Sequence, residues 1–408
     1  MLPYFIAAGL FFILLFLSII CLIFKKSRKF GGYSLLTLVV ILIITVITTY
    51  FMQQPMQFDK NYLTKKTNVA TLPVKLNASQ ARIFLGAAPN HIEQMLRPEF
   101  NQVFNSITPE NALKISDLLN IETMTYNFEQ ADILVEQAIS QNIRVRGHTL
   151  VFGKLSDQYK KPDLDLWLSQ FPEHERKAKL TALVEQHIEN VLNHYRGKIL
   201  EWDVVNEPLD MFGNGNLEEN VFYRYLGPDY IAQAFIKAKA VDPNITLYLN
   251  EQFYNYTDAR AEAFYQLVVS LLNKGIPIEG IGLQGHMLFY LVTPKDTASF
   301  VQRFTNLGLK VQLTEFEARL RLFKDFADPY QAQGEYYRDV IQACYEINGF
   351  DGVTFWGVDD SYSWLNDMTW LFALPNEPYL LDAQQQAKPG LLLINQWLKN
   401  KVQTSQAK

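Results

Sequence analysis

The chain has 408 residues, of which 13% are aromatic, and a formal net charge of −5. It is too long for one small domain and long enough for a barrel of about 250 residues with an appendage. Residues 1–54 contain four basic residues and no acidic one, so the remainder is more acidic than the whole chain. That balance argues against a nucleic-acid partner, which requires a basic face. The two cysteines, Cys21 in an apolar run and Cys344 in a predicted helix, indicate neither a disulfide nor a metal site.

The first elements along the chain are two uncharged apolar runs, at residues 4–24 and 33–52, separated by a basic cluster at 25–29. Each run is long enough to cross a hydrocarbon core of about 30 Å. Because a basic loop stays on the cytoplasmic side, we predict a two-pass transmembrane hairpin with the rest of the chain on the extracytoplasmic side, periplasmic or extracellular. A cleaved signal peptide fits less well, because only three residues precede the first run.

The chain after this predicted anchor, which we bound at residues 1–54, divides into three segments. Residues 55–79 lack periodicity and contain two prolines, which is typical of a linker. Residues 80–402 alternate between strand and helix patterns and form the predicted folded domain. Residues 403–408 are expected to be a short tail.

Apolar runs in the predicted domain alternate with amphipathic stretches. Eight runs are candidate strands: Arg82–Ala87, Gln102–Thr108, Arg144–Phe152, Ile199–Asn206, Thr246–Asn250, Gly280–His286, Lys310–Glu315 and Gly352–Gly357. Six stretches are candidate helices: Glu129–Ser140, Glu173–Tyr195, Asp229–Val241, Asp258–Asn273, Lys295–Asn306 and Gln331–Glu346. Nearly continuous apolar strands separated by helices indicate a parallel sheet covered on its outer face, and eight such units predict a closed (β/α)8 barrel. An open doubly wound sheet is the alternative, but no glycine-rich phosphate turn follows the first strand.

Several predicted helices are followed by a glycine, which tolerates the left-handed conformation that ends a helix. These residues are Gly197, Gly275, Gly308 and Gly349. Their positions support the proposed division into helices and strands.

Polar side chains collect at the carboxyl ends of seven predicted strands, which is where such barrels carry out chemistry. From strand two to strand eight these residues are Glu110, Asn111 and Lys114; His148; Asn206 and Glu207; Asn250 and Glu251; Gln284 and His286; Glu315 and Glu317; and Trp356, Asp359 and Trp364. Seven consecutive strands that end in polar groups predict a functional rim.

Two glutamates on this rim, Glu207 and Glu315, are 108 positions apart on strands four and seven. Two carboxylates that face each other are the minimal machinery for breaking a glycosidic bond. We predict that Glu207 is the general acid, with a pKa raised by burial beside Trp202 or Trp356 and by repulsion from Glu315. Glu315 would then be the nucleophile, and retaining chemistry requires the two carboxyl groups about 5–5.5 Å apart.

The neighbouring residues fit supporting roles. His286 could donate a hydrogen bond to the nucleophile, and Glu317 could orient the imidazole. Asn206 is placed to bind a sugar 2-hydroxyl, while Trp356 and Trp364 offer flat faces on which a pyranose ring stacks.

At these residues the domain resembles glycoside hydrolase family ten, the retaining endo-β-1,4-xylanases, over about residues 80–402. The matching segments are Thr108-Pro-Glu-Asn-Ala-Leu-Lys114, Arg146-Gly-His-Thr-Leu-Val151, Trp202-Asp-Val-Val-Asn-Glu-Pro208, Gly280-Ile-Gly-Leu-Gln-Gly-His286, Leu313-Thr-Glu315 and Phe355-Trp-Gly-Val-Asp-Asp-Ser-Tyr-Ser-Trp364. The resemblance implies a (β/α)8 barrel that needs no cofactor or metal, with Glu207 as acid/base and Glu315 as nucleophile. It also implies glycone-side sugar contacts from Glu110, Asn111, Lys114, His148, Asn206, Gln284, His286, Trp356 and Trp364.

The chain also departs from the family pattern around the pocket. The family's Trp-His after strand three is replaced within Phe152-Gly-Lys-Leu155, and its Asn-Asp-Tyr-Asn after strand five is Asn250-Glu-Gln-Phe253. Strand seven reads Thr314-Glu-Phe-Glu317 in place of Thr-Glu-Leu-Asp, and Ile115 and Leu365 stand where Trp and Arg are usual. These changes predict conserved bond-breaking chemistry on a sugar that differs from plain xylan.

The sequence therefore predicts a membrane-anchored, xylanase-like retaining endo-β-1,4-glycoside hydrolase that acts on a polysaccharide by double displacement. Two alternatives use the same barrel. One is a non-catalytic glycan-binding protein, and the other is a transglycosylase of an envelope glycan.

Overall fold

The computed structural model describes residues 54–64, 67–153, 163–211, 213–369 and 371–406. The predicted hairpin at residues 4–24 and 33–52 lies outside them. Within the described ranges, the helices are too short or too polar for any of them to span a bilayer.

Parallel strands form the centre of the domain. The strands are β1 (Phe84–Ala87), β2 (Ser106–Ile107), β3 (Leu119–Asn120), β4 (Thr125–Tyr126), β5 (Arg144–Val145), β6 (Gly147–Phe152), β7 (Glu201–Asn206), β8 (Thr246–Glu251), β9 (Gly280–Leu283), β10 (His286–Met287), β11 (Lys310–Ala318) and β12 (Phe350–Phe355). All except β3 and β4, which form a small antiparallel pair, belong to one sheet whose pairings are parallel.

The sheet closes on itself through its third strand. Arg146 divides that strand into β5, which pairs with β2, and β6, which pairs with β7. The order β5-β2-β1-β12-β11-β9-β8-β7-β6 therefore begins and ends on one continuous segment. Counting β5 and β6 as one, eight barrel positions result, and the predicted (β/α)8 barrel is confirmed.

Helices cover the outside of the barrel, and the structure places them close to the predicted stretches. They are α1 (Val74–Gln80), α2 (Ile92–Met95), α3 (Pro98–Val103), α4 (Ile115–Leu118), α5 (Glu129–Ser140), α6 (Leu164–Ser169), α7 (Glu173–His194), α8 (Val221–Leu226), α9 (Tyr230–Val241), α10 (Ala259–Asn273), α11 (Pro294–Thr305), α12 (Pro329–Tyr345) and α13 (Pro389–Gln406). The four predicted helix-ending glycines all have positive φ, between 73° and 100°.

Strands two and six differ from their predicted bounds. Residues 98–103, part of which was expected in strand two, form α3, because Phe100 and Val103 lie on one helical face and are buried together. Strand six was expected to continue to His286, but β9 ends at Leu283 and Gly285 turns the chain with a φ of 81°. His286 then resumes pairing with β11 as part of β10.

The predicted linker packs on the barrel over its described part. Lys60 forms an ion pair with Glu377 at 3.2 Å, and the Tyr62 hydroxyl donates to Asp382 Oδ2 at 3.0 Å. Residues 74–80 form α1, whose Val74 and Ala78 are fully buried, so burial of this apolar face adds the segment to the domain. The C-terminal tail is also shorter than expected, since α13 continues to Gln406.

The barrel interior holds a buried polar layer below the rim. The Arg146 guanidinium is 1% exposed and donates to Asp203 and to Gln312 Oε1 at 3.0 Å, while Gln312 Nε2 donates to Glu201 at 2.9 Å. Burial opposes the charge of Asp203, but the guanidinium of Arg146 outweighs it and keeps the pKa of this carboxyl below its usual value. A buried pair of this kind is costly to break by removing one partner.

Candidate active site

Glu207 lies directly after β7, at the carboxyl rim of the barrel. Its N–H donates to the carbonyl of Asn250 at 2.9 Å, and its φ of 49° places it in the left-handed region. Few non-glycine residues adopt this conformation, and those that do are concentrated at functional sites. Its side chain is partly exposed, which leaves it accessible from the cleft.

Glu315 lies within β11 and is 4% exposed. One carboxylate oxygen accepts from Asn250 Nδ2 at 2.8 Å, and the other faces His286 Nε2 at 3.0 Å. Its N–H donates to the carbonyl of Gln284 at 2.9 Å. Both oxygens are therefore held in fixed positions by groups from neighbouring strands.

Three amide side chains connect the two glutamates. Gln284 Nε2 donates to Glu207 Oε1 at 3.0 Å and to Asn206 Oδ1 at 3.2 Å. Asn250 Nδ2 donates to the same Asn206 oxygen at 2.8 Å as well as to Glu315. The structure thus joins strands four, five, six and seven in one network. Because the Asn206 oxygen accepts twice, its amino group is the part that can donate to a further partner.

A hydroxyl fixes the orientation of the central amide. Thr314 Oγ1 donates to Asn250 Oδ1 at 2.7 Å, so Asn250 must direct its amino group toward Asn206 and Glu315. Asn250 was recognised in the sequence as a strand-end residue but was not among the predicted site residues. Its fully buried side chain, which contacts both Glu315 and Asn206, was the missing information.

His286 lies between two carboxylates. Its Nδ1 faces Glu317 Oε1 at 2.6 Å, opposite the contact of its Nε2 with Glu315, and Trp364 Nε1 donates to the same Glu317 oxygen at 2.8 Å. Burial alone would lower the pKa of His286, but the charges and hydrogen bonds of Glu317 and Glu315 outweigh it and raise the pKa to about 10. His286 is therefore an imidazolium at neutral pH, and Glu317 is placed to hold its orientation.

The predicted residues after strand two form a second polar group. Lys114 Nζ donates to Asn111 Oδ1 at 2.8 Å, and Asn111 Nδ2 donates to Asn90 Oδ1 at 3.3 Å. Asn90 in turn donates to the Tyr362 hydroxyl at 3.1 Å. Sequence reasoning missed Asn90 and Tyr362, although Asn90 follows β1, the one strand to which no rim residue had been assigned.

Glu110 connects this second group electrostatically to the first. Burial raises its pKa to about 7, Lys114 opposes the rise, and the charges of Glu317 and Glu315 add to it. The fields of these glutamates act on one another only because the barrel places strands two and seven on the same rim.

His148 and the tryptophans complete the wall. The Trp356 ring meets His148 edge-on with centroids 5.2 Å apart and His286 at 6.3 Å, while Trp364 lies 5.4 Å from His286. His148 Nδ1 faces Asp203 Oδ2 at 2.9 Å, so the buried polar layer of the barrel holds this ring. All twelve predicted site residues therefore lie on the rim, in two groups that share one electrostatic environment.

One of the two neighbours predicted for Glu207 is not found beside it. Trp202 was expected beside it, but the Trp202 ring lies 6.2 Å from that of Tyr195, just after α7. Side chains alternate along a strand, so Asp203 points into the barrel and Trp202 points toward the helices.

The segment after strand five, Asn250-Glu-Gln-Phe253, departs from the family pattern first at Glu251, and this residue has a structural role. Glu251 is fully buried, pairs with Arg260 at 2.8 Å and accepts from the N–H of Leu209 at 2.9 Å. Both of its carboxylate oxygens are therefore engaged in an ion pair or a hydrogen bond within the fold. After strand three, the Phe152 ring lies 5.9 Å from Lys114 Nζ.

The pKa of Glu110 gives a pH dependence to the stability of the fold. Because the pKa rises from 4.5 to about 7 on folding, the protonated carboxyl stabilises the native state below pH 4.5, and that contribution is lost as the pH rises through 7. It amounts to something on the order of 3 kcal/mol. Glu110→Gln should therefore weaken the decline of the melting temperature between pH 5 and 7.5, measured by tryptophan fluorescence on the detergent-solubilised full chain.

The exposed Glu122 supplies the matched control. Glu122→Gln should leave the pH profile unchanged. Identical pH profiles for wild type and Glu110→Gln would contradict the assigned shift.

The structure is a parallel eight-position barrel with two glutamates on one rim, which side-chain amides connect through hydrogen bonds. This is the architecture of a barrel-type glycoside hydrolase. The model of the family Glycosyl hydrolase family 10 matches residues 75–396. The chain belongs to this family and is a xylanase-like glycoside hydrolase.

Relatives support the assignment over most of the domain. The chain is 33% identical over 328 residues to a β-1,4-xylanase of Dictyoglomus thermophilum, covering 76% of this chain and 87% of that protein. It is 30% identical to endo-1,4-β-xylanase B of Thermotoga neapolitana, with 81% and 93% covered.

Solved structures agree. Xylanase 10B from Thermotoga maritima superposes with a TM-score of 0.72 at 28% identity, covering 82% of this chain and all of that one. Xylanase 10B from Thermotoga petrophila, in complex with xylobiose, superposes with a TM-score of 0.70 at 28% identity, with 81% and 98% covered.

Proposed function

We propose that this protein is a retaining endo-β-1,4-glycosidase that cleaves a xylan-like polysaccharide or its oligosaccharides, with Glu315 as nucleophile and Glu207 as acid/base. The observation that carries the proposal is the amide network joining Glu207 to Glu315 through Gln284, Asn206 and Asn250. It holds the two carboxyl groups on one rim of a rigid barrel, which double displacement requires.

The reaction takes place in two displacements. A Glu315 oxygen attacks the anomeric carbon while the bond to the leaving oxygen breaks, and Glu207 gives its proton to that oxygen. Glu207, now a carboxylate, removes a proton from water as the water attacks the same carbon and releases Glu315. Two inversions restore the original configuration, and this geometry requires the carboxyl groups about 5–5.5 Å apart.

The surrounding groups support both steps. Asn250 and the His286 imidazolium donate to Glu315 and stabilise the charge that it regains when the glycosyl-enzyme is hydrolysed. The Asn206 amino group is oriented to meet the 2-hydroxyl of the sugar, a contact that strengthens in an oxocarbenium-like transition state. Trp356 and Trp364 provide apolar walls for the ring.

Xylose-based substrates are favoured because the relatives are named as xylanases and one solved relative holds xylobiose. The replacements at Phe152, Gly153 and Gln252 alter the pocket wall, and we propose that they narrow or shift the range of sugars accepted relative to plain xylan. A transglycosylase or a glycan receptor without turnover remains the alternative.

Product analysis tests this function. The purified full chain in detergent is incubated with xylan, substituted xylans, mixed-linkage β-glucan and aryl β-xylobioside, and NMR follows the anomeric signals of new reducing ends. We expect short xylo-oligosaccharides with β-anomers appearing first. An α-anomer first would contradict retention, binding without cleavage would favour the receptor, and products longer than the substrate would favour the transglycosylase.

We also propose that residues 4–24 and 33–52 anchor the protein as a two-pass hairpin with the barrel on the extracytoplasmic side. The support is the length of both uncharged runs and the basic loop between them. Protease added outside intact spheroplasts should then digest the barrel. Complete protection of residues 80–402 would contradict this topology.

A further inference from the structure

The segment that follows the predicted anchor is attached to the same face of the barrel as the candidate site. The Gln54 carbonyl accepts from Arg321 Nη1 at 2.7 Å, and the Met56 N–H donates to the Leu374 carbonyl at 3.1 Å. Arg321 follows β11 and Leu374 lies in the long segment after β12, so both belong to loops at the carboxyl ends of the strands.

The distance from these contacts to the bilayer is short. The second predicted span ends at residue 52, two positions before Gln54. Two fully extended residues cover about 7 Å at most. If residues 33–52 cross the membrane, the loop that carries Arg321 must therefore lie close to the lipid headgroups.

These two loops and the loop after β10 expose large apolar side chains. Phe326 is 57% exposed, Phe289 49%, Tyr290 46%, Leu374 42% and Leu371 40%. We name these five residues the apolar rim. They make up five of the fourteen large apolar side chains exposed among the described residues.

Contacts join the loop after β10 to the segment after β12. Phe289 lies 5.7 Å from Phe372, beside Leu371 and Leu374 in sequence. The Arg319 guanidinium donates to the carbonyls of both Leu288 and Ala373, at 3.1 and 3.3 Å. Phe326 lies on the adjoining loop, which Arg321 joins to the chain leaving the predicted span. Contiguous exposed apolar patches are uncommon on soluble domains and mark interaction surfaces.

We propose that the apolar rim rests in the headgroup region of the bilayer that holds residues 33–52, so that the catalytic face is seated beside the membrane. This inference depends on the anchor proposed above. Aromatic and leucine side chains are those that interfacial surfaces insert about 5–10 Å into the headgroup and acyl boundary. On the loop after β11, Arg321 and Lys324 are balanced by Asp325 and Asp328, so the proposal depends on the apolar side chains and on the anchor.

A polysaccharide is the competing occupant of an aromatic surface beside a cleft. Tyr254 and Phe289, with centroids 5.5 Å apart, could contribute to such a platform. Leu371 and Leu374, however, offer no flat face for a sugar ring, and Leu374 directly holds the segment that leads to the predicted span. The aliphatic part of the rim therefore favours lipid.

The test uses the full chain, with Cys21→Ser and Cys344→Ala, reconstituted into vesicles of phosphatidylcholine and phosphatidylglycerol that carry a headgroup spin label. A bimane label is attached at Phe326→Cys or Leu374→Cys, and at Ile236→Cys or Ile133→Cys as controls that are similarly exposed, at 53% and 44%, on the outer helices. We expect at least about twofold stronger quenching at the rim positions, because a label in the interface meets the spin-labelled headgroups directly.

Two readouts separate the possible failures. If carbonate washing removes the protein from the vesicles, the proposed anchor fails and the rim proposal fails with it. If the protein stays in the membrane but the rim labels are quenched no more than the controls, the rim proposal alone is overturned. Rim labels that lack this stronger quenching but change their emission on adding xylohexaose would overturn it in favour of a sugar platform.

Two checks protect these results from misfolded variants. Each labelled protein should keep the wild-type melting temperature. The quenching of Phe326→Trp by brominated lipid, in excess of that of the wild type with its six tryptophans, repeats the measurement without a cysteine or a label. No excess quenching would also overturn the proposal.

Discussion

Glu315→Ala should lower kcat/KM for an aryl β-xylobioside by more than ~10³-fold, the loss usual for a covalent nucleophile. Without this carboxylate no glycosyl-enzyme forms, while Asn206, Trp356 and Trp364 remain to bind the sugar. The release of phenol from purified full chain measures the effect. Unchanged turnover would end the assignment of Glu315.

Chemical rescue distinguishes a missing nucleophile from a damaged site. Azide fits the space left by the side chain and can attack the anomeric carbon of an activated substrate, which yields a glycosyl azide of inverted, α configuration. A β-glycosyl azide as the product would argue against a nucleophile at this position. So would the absence of any rescue by azide, if Glu315→Gln also keeps full activity. Glu122→Ala, at an exposed glutamate between β3 and β4, should keep wild-type rates.

Glu207→Gln should show a loss that depends on the leaving group. For xylo-oligosaccharides, whose departing alkoxide needs a proton, we expect kcat/KM to fall roughly 10²–10⁴-fold, the range of general acid catalysis. For a dinitrophenyl β-xylobioside, whose leaving group needs no proton, the first displacement should be nearly unaffected. The glycosyl-enzyme would then accumulate, because the base of the second step is also missing, and a burst of dinitrophenol measures this.

The glutamine variant keeps the local hydrogen bonding, since its amide oxygen can still accept from Gln284 Nε2. A change in binding affinity should therefore be small, and the dissociation constant for xylobiose serves as the control. Equal losses on both substrates would contradict the role of acid/base and indicate a positioning role instead.

The barrel and its two glutamates could be predicted because they depend on the period of the apolar residues and on the order of strands and helices along the chain. Alternating apolar and amphipathic runs specify a parallel sheet under helices, and eight of them close. Once closure is assumed, every strand end lies on one rim, so Glu207 and Glu315 must share it although 108 positions separate them.

The contacts within the rim could not be predicted in the same way, because they depend on side-chain direction and packing. Glu251 follows Asn250 on the same strand, yet one joins the site and the other pairs with Arg260, since successive residues face opposite sides. Trp202 was misplaced for the same reason. Asn90 was missed because the first strand carries no polar residue at its end and the chain must bend before Asn90 meets Asn111.

The packing of the predicted linker on the barrel could not be predicted from the sequence either, because it depends on a few specific contacts rather than on periodicity. Lys60 and Tyr62 meet Glu377 and Asp382, residues more than 300 positions away. No local sequence pattern predicts contacts between residues so far apart in the chain.

That docking has a consequence for what the enzyme can reach. A flexible chain of 25 residues would have a root-mean-square span of about 25–30 Å and would let the barrel search the space above its anchor. Gln54, Lys60 and Tyr62 are instead held against the barrel, so if residues 33–52 form the proposed anchor, almost no free chain separates it from the domain. An enzyme anchored in this way would cut dissolved oligosaccharides that diffuse to the membrane surface, but would cut a fibre only where the fibre touches that surface.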